Sequence, residues 1–239
     1  MNFLLGGRMG DLIHALWVAK NTKGKHDLFI TDRRDLHSDG FVLPLAETIN
    51  ELWPVLMSQP WCGTLNSYND EKPIENLSMW RRYVYSAPWT QLLSNTFGPA
   101  PNGEPWITLP KINGWENKTV IHRSLPEPRN GTHWNIVKDN YGHNAVFVGN
   151  PEEYKAFEFE LPFYQPKDLL DHFNVINSCG FFIGNQSAPL AMAHALGVPR
   201  LAMLNEVDKI AYVGEEKWHK GFYWIAKDDH NFFEGLSYM

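Results

Sequence analysis

Short continuous apolar runs alternate along the chain with longer stretches in which apolar residues return at helical spacing. The run at 3–6 (F-L-L-G) predicts a strand. Leu12, Ile13, Leu16 and Val18 then mark one face of a helix over about 11–20. A second strand is predicted at 26–31 (H-D-L-F-I-T), and a helix over 45–57 on Leu45, Ile49, Leu52 and Leu56, with Pro54 expected to kink or shorten it. Residues 58–115 carry scattered prolines and tryptophans, predicting loops, short strands and one helix near 89–95. Beyond them the alternation resumes: strands at 118–123 and 145–148, helices at 151–157 and 168–179, a strand at 181–183, a helix at 188–196 and a strand at 200–204. Strand and helix in turn imply parallel sheets. The Pro-rich stretch 99–105 separates two such units.

The segment 181–200 (F-F-I-G-N-Q-S-A-P-L-A-M-A-H-A-L-G-V-P-R) is the most informative. A buried strand passes through a tight polar turn into a helix with Ser187 at its N-cap, Pro189 in its first turn and Gly197 and Pro199 at its end. Such a helix start offers free amides and the positive end of a dipole to an anion. In a doubly wound sheet it lies at the carboxyl ends of the strands, where nucleotides bind.

Composition narrows the classes. The net charge of −6 disfavours a broad duplex-DNA footprint. Two cysteines, Cys62 and Cys179, support neither a disulfide framework nor a zinc site, and a reducing cytoplasm is the expected compartment. The N-terminal apolar run meets glycines at once, unlike a signal peptide, and no stretch reaches the roughly 18 apolar residues of a membrane span. Aromatics make up 14% of the chain, as candidates for cleft lining or for core packing.

Three turns could carry chemistry. The first is Gly6-Gly7-Arg8-Met9-Gly10-Asp11, whose glycines permit close approach to a ligand; Asp11 is either a general base facing a cleft or the cap of its helix. The glycines do not follow G-x-G-x-x-G. The second is 123–131, where Arg123 and Arg129 leave a strand end and could clamp a diphosphate, or lie on a solvated loop. The third is the strand-to-helix turn itself, Gly184, Asn185, Gln186, Ser187 and Ala188, an anion site or an ordinary capped helix. His14, His122 and His194 are expected to be packed, and no metal-ligand spacing, serine-hydrolase elbow or P-loop is present.

Gly7–Leu16 (G-R-M-G-D-L-I-H-A-L), 146–154 (V-F-V-G-N-P-E-E-Y) and 182–199 together resemble the heptosyltransferase-type glycosyltransferases. The resemblance implies a GT-B-like α/β fold: two Rossmann-like lobes with parallel sheets and an interlobe cleft, 1–112 on the acceptor side and reduced, 113–239 binding the nucleotide sugar. It implies a metal-independent transferase without cofactor, a nucleotide-diphosphate sugar donor, Asp11 as catalytic base on the acceptor hydroxyl, and Gln186, Ser187 and Ala188 at the donor diphosphate. The family's Asp-Thr-Gly falls on Gln186-Ser187-Ala188 and its downstream helix His on Ala191, so an acid and an imidazole are missing from the donor side. The acceptor is open: a glycan or lipid-linked glycan, or a nucleic acid, which the acidic charge disfavours. A non-catalytic nucleotide-sugar or nucleotide binder and a nucleotide-sugar epimerase are the alternatives.

Overall fold

The computed structural model describes residues 1–33, 35–36, 44–70, 74–82, 87–125, 134–157, 159–204, 211–212 and 222–225. The N-terminal unit holds β1 (Asn2–Leu5), α1 (Met9–Asn21), β2 (His26–Ile30), α2 (Leu45–Met57), β3 (Cys62–Ser67), β4 (Glu75–Asn76) and α3 (Trp89–Phe97). Its sheet has the order β3-β2-β1-β4, with every pair parallel. The C-terminal unit holds β5 (Thr119–His122), α4 (Trp134–Tyr141), β6 (Ala145–Val148), α5 (Pro151–Phe157), β7 (Phe163–Tyr164), α6 (Leu169–Ser178), β8 (Phe181–Asn185), α7 (Ala188–Ala195), β9 (Arg200–Leu204) and β10 (Phe222–Ile225). Its six parallel strands run β10-β9-β8-β5-β6-β7. Counted from β5, this is the doubly wound order 3-2-1-4-5-6, whose reversal point lies between β5 and β8. Two parallel α/β sheets, the N-terminal one smaller, match the fold class expected from the sequence.

Side-chain alternation builds this sheet. Val120, Val146, Val148, Phe182, Ala202 and Leu204 enter one core, while their neighbours Ile121, Phe147, Ile183, Leu201 and Met203 enter another on the opposite face. The first core is continuous with that of the N-terminal unit, because it also holds Leu12 and Leu16 of α1 and Leu190 and Met192 of α7. The two units are therefore joined by packed apolar side chains.

Several expectations shift. Pro54 does not end α2, which runs on to Met57; Pro54 itself faces solvent, and Val55 and Leu56 beyond it are buried. The strand β3 was hidden because C-G-T-L-N-S alternates weakly, with Cys62 and Leu65 alone buried along it. The helix α4 and strands β7 and β10 were not anticipated. The aromatics are mainly core: Trp17, Trp61, Trp89, Trp106 and Trp134 are all buried. Trp106 donates from Nε1 to the Ile13 carbonyl at 2.8 Å, and the amides of Trp106 and Ile107 bond to the Ala195 carbonyl. The Pro-rich join is thereby stitched to α1 and α7.

Candidate functional site

A cleft of about 370 Å³ opens at the carboxyl ends of β5, β6 and β8, beside the reversal point of the sheet. Met9 and Glu51 bring the N-terminal unit to its wall, and the rest of the lining comes from the C-terminal unit. Three C-terminal helices begin here, and their N-termini are treated differently.

The first, α5, is closed by its own sequence. Asn150 Oδ1 accepts from Glu153 N at 2.8 Å and Glu153 Oε2 accepts from Asn150 N at 2.9 Å, a reciprocal capping box. The start of α6 is closed twice: Asp168 Oδ1 accepts from Asp171 N, and Glu51 Oε2 reaches across from α2 to accept from Leu169 N at 2.7 Å. Among the described residues the start of α7 carries no side-chain cap, and Ser187 Oγ donates back to the Asn185 carbonyl at 3.0 Å. Ser187 and Ala188 line the cleft, so this open helix start faces it.

The first turn of α1 meets the same place. A Cβ on Gly10 would lie 3.7 Å from Ala188 Cα and N, so the first turns of α1 and α7 approach to ordinary van der Waals contact. Gly7 turns the chain into α1 at φ 104°. Arg8 is the exposed N-cap, and Asp11 Oδ2 accepts from the Arg8 amide at 3.1 Å. Asp11 thus caps its helix, in the first turn that contributes Met9 to the cleft.

Other expected ligand residues take structural work instead. Arg123 is buried and donates to the Ala156 carbonyl at the end of α5, away from the cleft that its neighbours His122 and Ser124 line. In a parallel strand successive side chains point to opposite faces, which sends Arg123 to the far side. Asn185 is 3% exposed: Oδ1 accepts from Ser124 N at 3.0 Å and Nδ2 donates to Ser124 Oγ at 3.0 Å. Its amide bridges β8 to the exit of β5. Gly184 serves packing, since a Cβ there would meet the Phe182 ring at 2.7 Å. Gln186 is partly buried beside Ser187 and outside the cleft lining. Arg129 lies outside the described residues.

His122, Glu153 and His172 line the cleft without having been expected there. His122, expected to be packed, is buried yet lines the cleft. Its Nδ1 donates to the Val148 carbonyl at 2.8 Å, which leaves the lone pair on Nε2, 3.8 Å from Glu153 Oε1. The His172 ring lies 6.0 Å away. Burial lowers the His122 pKa against the pull of Glu153; burial and the nearby His122 push His172 down to about 3. Glu153, His122 and His172 thus bring a carboxylate and two imidazoles to the cleft from α5, β5 and α6. The N-P-E-E run, a cap three residues before a carboxylate, was the available signal for Glu153. His14 and His194 are packed as expected: His14 stacks on Trp89 at 4.3 Å and His194 lies edge-on to Trp106. Among the described residues no group of three or more His, Cys, Asp or Glu is arranged to hold a metal ion, and no helix is long and apolar enough to cross a membrane.

No protein-family model and no curated protein matches the sequence. Solved structures do. The chain is similar to a glycosyl transferase family 9 protein from Veillonella parvula, at 11% identity and a TM-score of 0.63 over 99% of this chain and 89% of that one. It is similar to E. coli ADP-heptose LPS heptosyltransferase II, at 11% identity and a TM-score of 0.59 over 100% and 98% of the two chains. E. coli heptosyltransferase WaaC, solved with ADP-2-deoxy-2-fluoro heptose, gives 10% identity and a TM-score of 0.56 over 99% and 100%. At this identity the likeness is one of architecture, and the chain has the two-sheet, GT-B-like fold of the heptosyltransferases.

Proposed function

We propose that the chain is a glycosyltransferase that moves a sugar from a nucleotide-diphosphate donor to an acceptor hydroxyl without a metal ion. The observation that carries this is the uncapped start of α7, open to a cleft at the reversal point of a doubly wound sheet. The amides and dipole there meet the charge that develops on the departing diphosphate, which is where preorganised donors contribute most. Residues 1–112 form the acceptor side and 113–239 the donor side, in the cytoplasm. Asp11 acts as the base on the acceptor hydroxyl once the acceptor displaces the Arg8 amide from its carboxylate.

Two measurements test the reading. A thermal-shift panel of UDP-, ADP-, GDP- and CMP-linked sugars finds the donor, since ligand at 100 times its Kd adds about 2.7 kcal/mol of stability. With donor and acceptor in hand, Asp11→Asn is expected to slow turnover by about 10²–10⁴-fold; a change within about threefold removes Asp11 as base. The engagement of Asp11 as a helix cap favours one second reading, a nucleotide-sugar binder without transfer. That reading predicts donor binding by calorimetry with no hydrolysis or transfer across an acceptor panel.

A further inference from the structure

We propose that the His122–Glu153 couple takes up one proton when a phosphate-bearing donor occupies the cleft, and thereby sets the pH range in which the donor binds. The inference rests on the donor-site reading above and deepens it. His122 is 3% exposed, its Nδ1–H is committed to Val148, and among the described residues its Nε2 has no hydrogen-bond partner. Among the described residues three groups face the ring: Glu153 from α5 at 3.8 Å, His172 from α6, and the uncharged Phe147 ring from β6. Glu51 of α2 and Asp168 at the start of α6 line the same cleft.

With His122 neutral, the couple presents a net charge of −1 to an entering phosphate, beside the two carboxylates that cap α6. One proton from solvent brings the couple to zero and turns Nε2 from an acceptor into an N–H donor. An arriving anion therefore raises the couple's proton affinity, and by linkage the proton raises the affinity for the anion. The couple titrates as a unit, so the proton belongs to the pair. His172 is the weaker candidate: burial opposes charge on both rings, but at His122 it is offset by Glu153 and the Val148 carbonyl, whereas at His172 the nearby His122 adds to it.

Titration calorimetry with sulfate, whose own charge is constant across the range, tests this between about pH 5 and 8, the window of imidazole titration. UDP, ADP, GDP and CDP form a second set of probes. Buffers of different ionisation heat count the protons. The expected result is uptake approaching one proton per site at the alkaline end, with affinity falling about tenfold per pH unit there. His122→Gln is expected to abolish both the uptake and the pH dependence. Glu153→Gln keeps an oxygen for the Asn150 amide, hence the α5 cap, and is expected to bind sulfate more tightly than the parent at pH 8 with no uptake. Binding without uptake, or uptake unchanged in both variants, overturns the inference and leaves the donor site standing. Absence of binding by every probe at every pH sinks the donor-site reading and this inference with it.

Discussion

Asn185→Ala gives the sharpest test of how the reversal point is built. Asn185 ends β8, Ser124 leaves β5, and those two strands flank the crevice at which the cleft opens. The backbone N–H of Ser124 orients the amide, because it can be met by Oδ1 alone; Nδ2 then falls on Ser124 Oγ. Truncation removes two hydrogen bonds of 3.0 Å, each worth about 0.5–1.5 kcal/mol net, and a long third one from Nδ2 to the Ser124 carbonyl at 3.5 Å; it leaves the Ser124 N–H short of its partner, at about 1–3 kcal/mol where water cannot replace it. Ser124 is half-buried, so water recovers part of this, and the expected loss is about 2–3 kcal/mol. Urea unfolding should show this as a lower midpoint at unchanged slope. Ser124→Ala removes the hydroxyl bond alone and should cost about 1 kcal/mol. In the double variant the two losses should fall short of additivity by at least about 0.5 kcal/mol. A loss under about 1 kcal/mol for Asn185→Ala, or full additivity with Ser124→Ala, would refute the bridge.

Gly184→Ala would drive a methyl group to 2.7 Å from the Phe182 ring and 3.2 Å from the His122 carbonyl; thermal unfolding should report destabilisation of about 1–3 kcal/mol, and an unchanged midpoint would show that Phe182 yields freely. Trp106→Phe removes the Nε1–H bond to the Ile13 carbonyl, which keeps its helical partner in α1, and should cost about 0.5–1.5 kcal/mol in chemical denaturation; a loss under about 0.5 kcal/mol would mean the Pro-rich join is not held there. Acid stability carries a sign set by His172. Its folded pKa of about 3 lies below the ordinary imidazole value of 6.5, so the unfolded chain binds the extra proton between those values. Stability is full above about pH 6.5 and declines as pH falls toward about 3, and His172→Gln should flatten that limb when unfolding is followed against pH. An acid limb identical in the variant would show that His172 is not desolvated.

Elements with a strong period are legible in the order of residues alone. The helix over 45–57 and the strands at 145–148 and 200–204 appear with those bounds, because each buries a regular set of positions. The turn at 184–188 is legible as a helix start, and α7 does begin at Ala188 with Ser187 as its N-cap. What cannot be read there is the destination of each polar atom. Gln186 and Ser187 sit side by side in the sequence, yet Ser187 lines the cleft and Gln186 does not. Arg123 resembles a phosphate clamp because it leaves a strand end, but which face it takes depends on strand register.

By itself, the sequence determined the alternation of strand and helix, the open helix start at Ala188 and the general frame of two parallel sheets. These depend on local periodicity and local backbone chemistry, which act over a few residues. Tertiary structure alone decided the second closure of α6, since Glu51 reaches its start from a different sheet unit, 118 residues away along the chain. It likewise decided the charge of the cleft, by bringing His122, Glu153 and His172 together from three elements. Contacts between distant residues follow from strand order and register, and no local pattern encodes them.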